Sequence, residues 1–201
     1  MVYAAKTAGL RFILNVILNG EREIIASFSG GLEEAHAEGC KFLTSLASVS
    51  KVPCDITVVT NGGYPLDQNI YQAVKGLTSA EATNKTGGVI IMIAGLADGT
   101  GGKGFYDNLA QCKTPQEFLD RVSQVDRRHT GPDQWESHVL ARILSCHHVI
   151  MVSDLIQPEI ITNMHMEHAR TFDEALRRAY QLRGNTAKVA VIPDGLAVIV
   201  Q

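Results

Sequence analysis

Apolar and polar positions follow two different rhythms along this chain. Residues 11–18 (RFILNVIL) and 23–28 (EIIASF) are β-rich runs parted by Asn19-Gly20-Glu21-Arg22. An Asn-Gly pair tolerates the positive φ of a tight turn, so an antiparallel hairpin is expected near the start. After the break at Gly30-Gly31, the residues Ala35, Cys40, Phe42, Leu43 and Leu46 recur near helical spacing, predicting a helix over 32–50. Four later segments, 55–60, 88–94, 149–152 and 188–192, are nearly continuous apolar runs. Strands apolar on both sides belong in a sheet covered by helices on both faces. Helical patterns at 68–82, 105–111, 115–125, 133–145 and 172–182 lie between them. Strand and helix therefore alternate, predicting an α/β fold: a largely parallel sheet with crossover helices on both faces. The tail, 189–200, interrupted by Pro193-Asp194-Gly195, reads as a closing C-terminal hairpin. No repeat, low-complexity tract or linker appears, so residues 1–201 are expected to form a single domain.

Composition narrows the function classes. The 201 residues are 45% hydrophobic, 19% charged and 6% aromatic, an ordinary globular balance that needs no disulfide staples. A formal net charge of -3 with no block of like charges argues against a nucleic-acid partner or a polybasic membrane surface. A small-molecule partner is the expectation. Cys40, Cys54, Cys112 and Cys146 form no Cys-x-x-Cys pair, which suits reduced thiols in a cytoplasmic protein. The apolar runs fall well short of the roughly 20 residues of a membrane span.

In an open parallel sheet, ligands sit beyond the carboxyl ends of the strands. Two glycine-rich loops reach that edge. The loop at 98–104 contains Gly-x-Gly-x-x-Gly as Gly99, Gly101 and Gly104. A dinucleotide fingerprint, however, also needs a short βαβ unit whose next strand presents an acid about 20 residues on. No apolar strand returns here until Val149, and Gly104 stands where a Walker-type phosphate loop needs Ser or Thr. An NAD-binding enzyme therefore survives only as an alternative. The loop at 61–69 feeds a helix on which Ile70, Ala73, Val74 and Leu77 share one face, leaving Tyr71, Gln72 and Lys75 on the opposite arc. An ammonium beside an amide could hold a carboxylate and an adjacent hydroxyl; the same spacing also describes a solvated helix face.

The seven histidines match no metal-binding spacing, so no metal site is expected in this chain. His147 and His148 are adjacent in a strand pattern and point to opposite faces, and His165-Met166-Glu167-His168 fits neither zinc-protease motif. Ser153-Asp154 reads as a helix cap. Trp135, the one tryptophan, suits either core packing or the apolar wall of a small pocket.

The stretch from Thr60 to Gly76, TNGGYPLDQNIYQAVKG, closely resembles the carboxyl-terminal half of the nickel-pincer nucleotide-dependent lactate racemase family. Residues 12–19, 87–99, 140–144, 164–166 and 192–195 are similar to the same family, so the resemblance spans nearly the whole chain. It implies an isomerase that inverts a 2-hydroxy acid by hydride transfer to a nickel-pincer nucleotide. It also implies that an N-terminal domain supplies the cofactor lysine, the nickel-binding histidine and the acid and base histidines. None of those motifs occurs here, so the isolated chain is expected to hold no catalytic residue, to bind no cofactor and to be inactive alone. The positions matching the family's substrate contacts are Tyr71, Gln72 and Lys75, with Trp135 as a pocket wall. A stand-alone carboxylate-binding module without catalysis is the rival from another class.

Overall fold

The computed structural model describes residues 1–201, and its contacts fall into two compact units, Met1–Val49 and Ser50–Gln201, where the sequence suggests one domain. The first unit opens with a short helix, Val2–Thr7 (α1). Strands Ile13–Leu18 (β1) and Ile24–Gly30 (β2) then pair antiparallel, with Val16 opposite Ser27. The turn does not use Gly20 as expected. Asn19 Oδ1 accepts from the backbone N–H groups of Glu21 (3.0 Å) and Glu23 (2.9 Å), and Arg22 is the left-handed residue, at φ 65. A polar side chain folded back on its own backbone fixes the reversal. Helix Leu32–Ala47 (α2) packs Phe42 on Phe28 of β2, ring centroids 5.6 Å apart.

The second unit is the parallel α/β body that the apolar runs predict. Its strands are Cys54–Val59 (β3), Asn84–Ile93 (β4), His148–Val152 (β5), Glu167–Ala169 (β6) and Val189–Ile192 (β7), ordered β6-β5-β4-β3-β7 with every pairing parallel. Four strands are legible as continuous apolar runs; β6 is three residues long and carries Glu167 and His168, so no such run marks it. Helices Ile70–Thr83 (α3), Lys103–Ala110 (α4), Pro115–Ser123 (α5), Gln134–Cys146 (α6) and Pro158–Asn163 (α7) cover one face, against Val59, Ile90, Met92, Val149 and Met151. The other face, Ile56, Val58, Ile91 and Ile150, takes Ala175 and Ala179 of helix Phe172–Arg183 (α8). Alternating residues of one strand thus serve opposite layers, which is why these strands are apolar throughout.

The C-terminal hairpin is not formed. Val189–Ile192 is the edge strand parallel to β3, and Ile199–Val200 (β8) does not pair with it. Pro193 has no N–H to extend the ladder, and the chain turns instead across the end of β3, where Gly195 N–H donates to Thr60 O at 2.8 Å. Ser153 does not cap a helix either. Its hydroxyl donates to Gly95 O (2.8 Å) and accepts from Leu155 N–H (3.3 Å), fastening the loops after β5 and β4 together.

Candidate functional site

The carboxyl edge of the sheet is built around the amino end of α3. Asn69 caps it, accepting from Gln72 N–H at 2.9 Å, and its amide donates to Asp98 Oδ2 at 3.0 Å. The next two free N–H groups of the helix, those of Ile70 and Tyr71, donate to the carbonyls of Gly99 (3.0 Å) and Thr100 (3.2 Å). Helix starts leave such donors unsatisfied unless something outside the helix accepts from them. The Gly99–Gly104 loop, with its fingerprint-like glycines, does this for α3. Its Gly101, at φ +81, lies so close to Asn69 that a Cβ there would stand 2.6 Å from the amide carbon.

Beneath the first turn, Asn61 is wholly buried and its amide donates to Leu66 O (2.8 Å) and Gln72 O (2.7 Å). Gly76 leaves room for it: a Cβ at that position would meet Asn61 Oδ1 at 2.1 Å. Gly195 presses on the same helix, where its own Cβ would approach Gly76 Cα to 2.8 Å, and Ser79 Oγ donates to Gly195 O at 2.5 Å. Absent side chains thus let the chain after β7 lie directly on α3.

The apolar stripe of α3 is buried as its spacing predicts, with Ile70, Ala73, Val74, Leu77 and Ala80 wholly inside. The opposite arc divides. Tyr71 is half-buried, edge-on to Phe105 of α4 (centroids 5.4 Å) and to Trp135 of α6 (5.9 Å). Lys75 Nζ donates to Gln72 Oε1 at 2.7 Å, the i, i+3 pairing expected of that spacing. Lys75 and Trp135 line one cavity of about 310 Å³ together with Thr78, Ser79, Glu136 and Gly195. Tyr71 and Gln72 do not line this cavity; they contact Trp135 and Lys75 respectively. On its other side Trp135 borders an apolar hollow of about 460 Å³ with Leu119, Val122 and Val139, so this 58% exposed ring is a wall between two concavities.

Glu136 is the residue that the sequence reading missed. It is 1% exposed and its Oε1 has no hydrogen-bond partner. Burial pushes its carboxyl up to about 7, while the Lys75 ammonium pulls the other way. The signal lies in the α6 pattern: Glu136 stands four residues before Leu140 and seven before Ile143, a carboxylate on an apolar stripe. The Tyr71 phenol is also raised, first by burial and then by the nearby Glu136 and Asp133 charges, which keeps it a neutral donor.

The histidines are distributed elsewhere. His148 Nε2 lies 2.7 Å from Glu167 Oε2, His165 Nε2 3.1 Å from Leu109 O, and His168 Nε2 2.8 Å from Ser153 O. His147 is buried with Nδ1 unpartnered, and burial lowers its pKa. No three His, Cys, Asp or Glu side chains converge as a metal centre would require. No helix is long and apolar enough to cross a membrane.

Comparison with known proteins identifies the family. Residues 49–200 match the family model described as the lactate racemase C-terminal domain, and the chain belongs to that family. Over all 201 residues it is 61% identical to a lactate racemase from Lactiplantibacillus plantarum and 49% identical to one from Thermoanaerobacterium thermosaccharolyticum, spanning 47% of each. The solved structure of the lactate racemase apoprotein from the latter organism covers 100% of this chain, with 48% identity and a TM-score of 0.95, and the match spans 48% of that chain. The chain therefore spans about half the length of the relatives it matches.

Proposed function

We propose that this member of the lactate racemase C-terminal domain family is the substrate-holding half of a two-domain racemase that inverts a 2-hydroxy acid, lactate being the compound for which its relatives are named. The observation that carries the reading is the pairing of Lys75 with Gln72 at the rim of a cavity walled by Trp135. An ammonium there neutralises the substrate carboxylate, and the adjacent amide fixes an oxygen by donating or accepting one hydrogen bond. Tyr71 and Trp135 supply a rigid apolar side with a phenol at its edge, and so restrict how the small acid lies. Inversion requires the flat 2-keto intermediate to be held while either of its faces is addressed, and a charge anchor at the carboxylate does this without contacting the reacting carbon.

When bound by an N-terminal domain, a nickel-pincer nucleotide supplies the hydride acceptor; the work of this chain is to bind and orient. Acid and base groups belong to that other domain, so the chain alone is inactive. The test is kinetic, in the intact two-domain protein. Lys75→Ala should raise KM and lower kcat/KM by roughly 2–4 kcal/mol of transition-state binding, as loss of a buried charge partner does. Unchanged kinetics would remove Lys75 from the site and the reading with it.

A further inference from the structure

The cavity beside α3 holds two ionisable side chains of opposite kind, and only one has a partner. Lys75 Nζ donates to Gln72, whereas Glu136, from the first turn of α6, is buried against the same space with Oε1 bonded to nothing. A carboxylate substrate seated at Lys75 brings a second acid into a cavity that has a single ammonium. One cation cannot neutralise two buried anions.

We propose that Glu136 is a proton-linked positioning residue for Lys75: binding of a small carboxylate at the ammonium requires a protonated Glu136 carboxyl, which takes the proton up from solvent wherever it is ionised. The proposal rests on the racemase reading above and deepens it. With Glu136 neutral, the full charge of Lys75 is directed at the substrate, and the protonated acid has an O–H to donate into the cavity. With Glu136 ionised, the ammonium is shared and the incoming carboxylate is repelled. The free carboxyl is already held near 7 by burial, so physiological pH lies on the titration.

The charged neighbours leave this pair to itself. From α3, the ionisable groups facing Glu136 are Lys75 and the neutral Tyr71 phenol, while Glu81, two turns further on, is paired with Arg142 at 2.5 Å. On its own helix, Asp133 packs toward Gly102 and Gly104. Lys103 and Asp107 of α4 pair with each other; in α5, Glu117 accepts from Lys113 N–H at 2.7 Å and Arg121 donates to Asn108 O at 3.3 Å. The cavity-lining residues after β7, Gly195, Leu196 and Val198, carry no ionisable group.

The test uses the intact racemase with lactate as the probe, and a carboxyl NMR titration of the same protein. In the wild type, KM for lactate should be flat at acid pH and rise toward roughly tenfold per pH unit above the Glu136 midpoint, as uptake of one proton demands, with kcat changing far less. Glu136→Gln, the isostere of the protonated acid, should give a low KM without that slope. Saturating lactate should move the Glu136 resonance's midpoint upward. A Glu136 carboxyl that titrates in the ordinary range near 4, or a KM slope identical in wild type and Glu136→Gln, overturns the proposal while lactate turnover, and hence the racemase reading, stands. A wild type with no lactate turnover at any pH removes the racemase reading first and this proposal with it.

Discussion

The two ends of α6 each bury a titratable side chain with an unbonded atom, yet they are different kinds of place. At the amino end, Glu136 lines a cavity opposite a lysine whose only hydrogen-bond partner is an amide of its own helix. At the carboxyl end, His147 has Nδ1 buried without a partner, but the one charge acting on it, Glu81, is already matched with Arg142, and the Lys85 backbone hydrogen-bonds the ring. Burial favours the neutral form of both groups by opposite routes, raising the acid and lowering the base. A buried orphan group marks a binding site only where there is open space and an uncommitted counter-charge beside it; without those it is a tolerated cost of packing.

The contrast can be broken or sharpened by substitution. The largest effect is expected at the amino end from Phe105→Ala, which removes the wholly buried ring under Tyr71 and should cost about 3–5 kcal/mol in denaturant unfolding. Glu136→Gln should stabilise the folded chain by roughly 1–3 kcal/mol at pH 8, because a raised folded pKa gives stability that is intact below the unfolded value and is lost as pH rises through about 7. That gain should vanish near pH 4. His147 predicts the opposite slope and a smaller effect. With its folded pKa depressed, stability is intact above the unfolded value near 6.5 and falls as pH drops below it, so His147→Phe should flatten the acid side of the stability curve. Smallest of all is Glu167→Gln, which breaks partly exposed pairs with His148 and Arg178; less than about 1 kcal/mol of stability and no change in KM are expected.

The core of the fold was legible because β3, β4 and β5 are apolar on both sides and the stripe of α3 has helical spacing, patterns that local sequence expresses directly. What failed was non-local. The tail looked like a hairpin, since two apolar runs flank a Pro-Asp-Gly turn; Gly195 instead packs on Gly76, an approach that only the two missing side chains together permit. β6 is a strand by virtue of its neighbour β5 rather than its own composition. The four expected site positions rest on a helix arc and a family resemblance; of them, Lys75 and Trp135 line one cavity, while Gln72 and Tyr71 contact those two from outside it. Glu136 was readable in principle, as an acid on an apolar stripe, but its meaning depends on Lys75, some sixty residues away in the chain.

The most direct measurement is a crystal structure of the intact protein with lactate bound. The account predicts a substrate carboxylate oxygen about 3 Å from Lys75 Nζ, with Gln72 on an adjacent oxygen and the Trp135 ring against the substrate. Lactate held elsewhere, with Lys75 still bonded only to Gln72, would contradict it.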